Sequence, residues 1–234
     1  MPARSLAPLA LLLILSGADA PPTARRVAQE ALAPFAGLVG DWKGTGQPRR
    51  GSAQGSWVET SGWAWKLGPD SAALELTVAK GKFLRSASLK PGKGPGTFIL
   101  DTTLADGSSR SFAGTLSGKS PLVLQADPLD GDGPRRVTLS PLHDTRFLLL
   151  FEARNEDNAG FRRLAEVGYT RQGVAFAVGE SYPPCIVTDG RGTTEVSYQG
   201  KTYWVCCSGC KDLFNDDPAA VIAEADARRK AKAQ

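Results

Sequence analysis

The chain has 234 residues, a formal net charge of +4 and four cysteines. The basic residues are scattered, apart from RRKAK near the C-terminal end, so the electrostatic footprint of a nucleic-acid binder is excluded. The length suits one large β domain, or one medium domain with a small one beside it.

Residues 1–20 read as an export signal. Arg4 supplies a charged n-region, LAPLALLLIL (Leu6 to Leu15) the apolar run, and Ala18 and Ala20 an A-x-A site that predicts cleavage after Ala20. The run is too short to cross a bilayer of ~30 Å comfortably, and no later apolar run approaches the ~20 residues of a membrane helix. The expectation is a soluble protein that is periplasmic or extracellular. Its charge stays at +4, because Arg4 and Asp19 leave together.

Residues 21–34 carry a short helical pattern (Val27, Ala28, Ala31, Leu32) interrupted by Pro34. From Trp42 the texture changes to short β-rich runs near 42–47, 56–66, 72–79, 82–90, 96–103, 109–117, 121–126, 135–140, 145–153 and 161–171. Gly, Pro, Asp and Ser clusters such as PGKGPG and DGDGP separate them. About ten strands at this spacing, with almost no helical periodicity between them, predict an antiparallel barrel, with a β-sandwich as the rival.

The opening, a short helix followed by GLVGDWKGTG, resembles the lipocalin-like (calycin) barrels over about residues 35–172, within a barrel domain expected over 35–173. Their G-x-W is matched by Gly40, Asp41 and Trp42. The resemblance implies a final strand that returns an arginine over that tryptophan, and RRLAEVGYTRQ offers Arg171 or Arg163. The barrel shows no chemistry of its own in sequence. Glu59, Glu75, Asp101, Glu152 and Glu166 are not spaced as an acid–base pair, and His143 lies in the turn SPLHDTR. Trp57, Trp63 and Trp65 share one strand face, as core bulk or as the lining for a small apolar ligand. A non-catalytic protein is therefore expected.

VAFAVGESYPPC reads as one more β-rich run and then a rigid break, so residues 180–234 form a separate module. Cys185 is followed after twenty residues by Cys206 and after three more by Cys210, with Cys207 beside Cys206. Val196 and Tyr198 alternate into a Gln199–Lys201 turn and the run TYWV, a β-hairpin that delivers Cys206. Asp217 with Pro218 predicts a helix start, and Glu224 with Arg228 an i,i+4 pair. One thiol before a hairpin and two at a hairpin-to-helix junction match a treble-clef-like knuckle, whose soft donors suit Zn(II) or Cu(I). A structural disulfide or a C-x-x-C redox pair are the competing readings of the same cysteines.

C-x20-C-x3-C, with YQGKTYWVCCSGCKDLFNDDPAAVI, resembles the YHS and TRASH-like heavy-metal-associated domains over residues 185–222. The Y-x-G-K-x-Y hairpin and the C-K-x-x-F-x-x-D-P exit carry the likeness. It implies Cys185, Cys206 and Cys210 as ligands of one metal ion per chain, with Cys207 within the pattern, and a role in metal trafficking, resistance or sensing alongside a metal-exchange partner. The fourth coordination position stays open between Cys207, Asp189, water and a partner's donor.

Overall fold

The computed structural model describes residues 23–118, 121–126, 133–155, 160–173 and 182–233. The signal segment and most of the run at 174–184 lie outside them. Ten strands form one closed antiparallel barrel: β1 (Gly40–Gln47), β2 (Trp57–Leu67), β3 (Ala72–Ala79), β4 (Leu84–Pro91), β5 (Thr97–Leu104), β6 (Ser109–Thr115), β7 (Leu122–Gln125), β8 (Arg136–His143), β9 (Arg146–Arg154) and β10 (Phe161–Arg171). Each strand pairs with its chain neighbour, and β10 returns to β1 with Trp42 opposite Arg171. Closure leaves this barrel no open strand edge, whereas each sheet of a sandwich would leave two. The strand positions agree with the sequence expectation to within two residues, except that β8 runs three residues past 140 to His143, because a period-two apolar face marks an interior wherever it occurs.

That interior is packed. Trp42, Leu74, Leu89, Phe112, Phe147, Phe151 and Tyr169 are all essentially without exposure. Phe147 stacks on Tyr169 at 4.3 Å and meets Trp42 edge-on at 4.7 Å. One end is plugged by the N-terminal segment. Helix α1 (Ala24–Ala31), capped by Thr23, gives way to a 3₁₀ turn over Ala33–Leu38 where Pro34 ends regular helix. The turn seats Leu32, Phe35 and Leu38 in the core, and Phe35 meets Phe98 edge-on at 5.1 Å.

Arg171 is the arginine that covers Trp42, its guanidinium carbon 4.2 Å from the ring centre. Its nitrogens donate to the carbonyls of Asp144 (2.6 Å), Val39 (2.8 Å) and Gly37. The Trp42 indole in turn donates to Leu38 O at 2.7 Å, so one residue pair ties both ends of the barrel chain to the plug. Arg163 instead reaches the Gln47 carbonyl and Glu166.

The C-terminal module consists of the hairpin β11 (Thr194–Tyr198) and β12 (Lys201–Val205), then α2 (Ser208–Asp216) and α3 (Pro218–Lys232). Gln199 and Gly200, both at positive φ, make the two-residue turn whose twist suits a hairpin. Asp217 caps α3 by accepting from Ala220 N at 3.0 Å. The expected Glu224–Arg228 pair is not what forms. Glu224 is taken by Arg25 of α1 at 2.7 Å, while Arg228 turns to Ile186 O at 2.7 Å and to Asp189. A local i,i+4 pair contributes only about 0.3–0.5 kcal/mol, so tertiary partners readily displace it. No helix among the described residues is long and apolar enough to cross a membrane.

Candidate metal centre

The hairpin ends at Val205, so Cys206 and Cys207 fall on the tight connection into α2, and Cys210 lies in the first turn of that helix. Cys185 comes from the other side. The loop after it is pinned by Ile186 N to Trp204 O (2.8 Å) and Cys185 N to Gly190 O (2.7 Å). The Sγ atoms of Cys185, Cys206 and Cys210 lie within 4.8 Å of one another, and Cys206 and Cys210 are 3.5 Å apart. Sulfurs bound tetrahedrally at about 2.3 Å from zinc sit roughly 3.8 Å apart, so this spacing fits a shared soft cation with little adjustment. All four cysteines are free thiols.

Cys185 and Cys210 are wholly buried and Cys206 nearly so, whereas Cys207 is half-buried. Cys207 lies outside the three-sulfur group. Its Sγ is 3.9 Å from that of Cys206 and accepts the backbone N–H of Trp65, a β2 residue, at 3.4 Å. The barrel therefore supplies one wall of the site. Gly209 makes that approach feasible, since a Cβ there would stand 1.7 Å from the Trp65 carbonyl oxygen.

The sulfurs share protons unequally. Hydrogen bonds from Cys206 and then Cys210 hold Cys185 far below the ordinary thiol range, and the same two neighbours lower Cys207. Cys206 and Cys210 are pushed up, chiefly by Cys185. Stripping the remaining protons concentrates negative charge in a buried volume, which a bound cation offsets.

Asp189 is not drawn to the sulfurs. Its carboxylate lies outside the three-sulfur group and pairs with Lys232 at 2.8 Å and Arg228 at 3.5 Å. His143 is exposed at the end of β8, where its Nδ1 meets the backbone N–H and the hydroxyl of Thr145.

A second polar group is built on Glu59, which in sequence stands only as one of five unpaired strand carboxylates. Glu59 is buried inside the barrel, where it accepts from Trp57 Nε1 at 2.5 Å and from the Tyr169 hydroxyl. Gly44 and Gly46 of β1 leave room for them, since a Cβ at Gly46 would stand 2.2 Å from the Trp57 ring. The signal was present in the parity of the strand: Glu59 shares the inward phase of Trp57, Trp63 and Trp65.

Burial, then the charge of Glu59 and the hydrogen bond to it, raise Tyr169 well above its ordinary value of 10.0. A raised folded-state value means a contribution fully present below pH ~10 and lost as pH climbs toward the folded value. Tyr169→Phe is expected to cost about 1–3 kcal/mol at neutral pH, by leaving Glu59 short of a donor. It is also expected to remove part of the alkaline fall in stability. Urea unfolding of both proteins between pH 7 and 11 checks this, and parallel pH profiles would rule it out.

Together these features define a closed ten-stranded β-barrel with a buried three-cysteine cluster docked on one of its strands. No protein-family model matches the chain, and no curated protein matches its sequence.

Proposed function

We propose that this is an exported, non-catalytic metal-binding protein in which the thiolates of Cys185, Cys206 and Cys210 hold one Zn(II) or Cu(I) ion for trafficking, resistance or sensing. On this reading the C-terminal segment is a YHS/TRASH-like, treble-clef-like module beside a lipocalin-like barrel. The observation that carries it is the convergence of three free sulfurs, from segments twenty residues apart, within 4.8 Å and almost out of solvent. Cysteine donors select soft or borderline ions, and Ca²⁺ and Mg²⁺, which prefer oxygen, are unsuited. When bound, the ion would cross-link the loop before β11 to the start of α2, holding together a segment of about 50 residues with a small core of its own. The barrel interior is filled by its own side chains, so the alternative of an apolar-molecule carrier is not the one adopted.

The test is a titration of the reduced mature chain with Zn(II) and with Cu(I). About one equivalent is expected to bind, with four thiols counted after denaturation in chelator. At metal concentrations 100-fold above Kd the folded state gains about 2.7 kcal/mol, which for a chain of this size raises Tm by roughly 5–11 °C. Two or fewer titratable thiols and no bound metal would sink the reading. N-terminal sequencing of the exported product is expected to begin at Pro21.

A further inference from the structure

The four sulfurs lie at graded depths. Cys185 and Cys210 have no exposure, Cys206 is 9% exposed and Cys207 is half-buried. Two of them, Cys206 and Cys207, reach a surface cleft. They line one of about 810 Å³ between the module and the barrel rim, whose other walls include Asp41, Arg171, Tyr182 and Arg191. Cys206 also borders an adjoining cleft of about 360 Å³ that shares Arg171, Tyr182 and Arg191.

We infer that Cys207 is the receiving thiol of the site: it takes the metal from a small thiolate complex seated in this cleft and passes it inward to Cys206, Cys210 and Cys185. The inference rests on the three-thiolate reading above and adds a direction of exchange to it. Three observations support it. Cys207 is outside the compact group, yet its Sγ is 3.9 Å from that of Cys206, so an ion held on it lies one short step from the buried trio. The Trp65 N–H and the close seat of Gly209 on Trp65 fix its position from the barrel side. The cleft that Cys207 lines, about 810 Å³, leaves room beside its sulfur for a small carrier.

The occupant is a low-molecular-weight thiolate complex, since the cleft has the volume of a ligand pocket and exchange of a soft ion needs a soft donor on both sides. In the exchange step the bond between the metal and the Cys207 sulfur forms as a bond from the metal to a carrier sulfur breaks. The carrier sulfur leaves as a thiolate, the protons displaced from Cys206 and Cys210 as the ion moves inward go to that thiolate and to solvent, and no electrons are transferred.

The experiment is alkylation of the full mature chain, loaded with one equivalent of whichever ion the titration shows to bind. A short iodoacetamide pulse is followed by mass mapping of the labelled peptides. Cys207 is expected to react at least about tenfold faster than the three protected cysteines. Uniform protection of all four would make Cys207 a permanent ligand and overturn the inference, as would faster labelling of any other cysteine. Failure of either ion to load would instead remove the three-thiolate reading, and this inference with it.

A Cys207→Ser protein gives a second measurement. Loading from a glutathione complex and stripping by a chelator are both expected to slow by about tenfold, with equilibrium affinity within about threefold. Losing a permanent ligand would weaken affinity by at least the roughly 10–100-fold that follows loss of a group behind a ligand, and that outcome overturns the inference. If the variant does not fold, the labelling pattern of the unsubstituted chain still decides.

Discussion

Replacing Cys210 by serine is expected to lower affinity for the bound ion by about 10²–10³-fold. Structural zinc sites contribute about 10–16 kcal/mol over their ligands, so one of three or four thiolates carries roughly 3–4 kcal/mol. A serine hydroxyl is a poor substitute, because it stays protonated near neutral pH and is a hard donor. Cys210 is the most demanding of the three positions to change. It is wholly buried, 3.5 Å from Cys206, and held by the first turn of α2, so water has little room to replace the sulfur. Competition against a chelator of known affinity measures the effect. An affinity within threefold of the parent would mean that Cys210 does not hold the ion, whatever else the site does. Binding should also weaken on acidification, since the protons retained by Cys206 and Cys210 must leave before all three sulfurs can coordinate.

Gly209→Val is expected to be the most damaging single change to the fold near the site. The new Cβ would fall 1.7 Å from the Trp65 carbonyl oxygen and 2.8 Å from its carbonyl carbon, and these are backbone atoms of a strand paired on both sides. No rotamer relieves such a clash, so α2 has to lift off β2 or the strand has to deform. Overpacking a core commonly costs about 1–3 kcal/mol, and a backbone-to-backbone conflict belongs at or above the upper end. At roughly 2–4 °C per kcal/mol, Tm should fall by about 6–12 °C. The same displacement would withdraw the Trp65 N–H from Cys207. Ser208→Ala, at the exposed neighbouring position, serves as the control and should stay within about 0.5 kcal/mol. Equal melting of the two variants would show that the module does not rest on the barrel.

Much of the barrel could be read along the chain because its signal is local. Alternation at Trp57, Glu59, Ser61, Trp63 and Trp65 points the same residues inward whether or not the neighbouring strands are known. The hairpin before the cysteines was equally plain, since a tight turn at Gln199 and Gly200 between two short β runs leaves few other conformations. Arg171 and Arg163 could not be separated in this way, because the choice depends on the register of β10 against β1. Pairing Trp42 with Arg171 settles it. The Glu224–Arg228 expectation failed for a related reason: in the fold Arg25, 199 residues away, is the stronger partner. Glu59 was passed over because its two donors, Trp57 and Tyr169, come together only when the barrel closes.

Sequence alone determined the number and phase of the strands, the hairpin and helix around the cysteines, and which thiols stand at knuckle spacing, because each of these follows from periodicities of a few residues. Only the tertiary structure decided that Cys185 meets Cys206 and Cys210, that Asp189 is committed elsewhere, and that β2 of the barrel forms a wall of the site. Those outcomes depend on distances between segments far apart in the chain, which packing sets and local pattern does not encode.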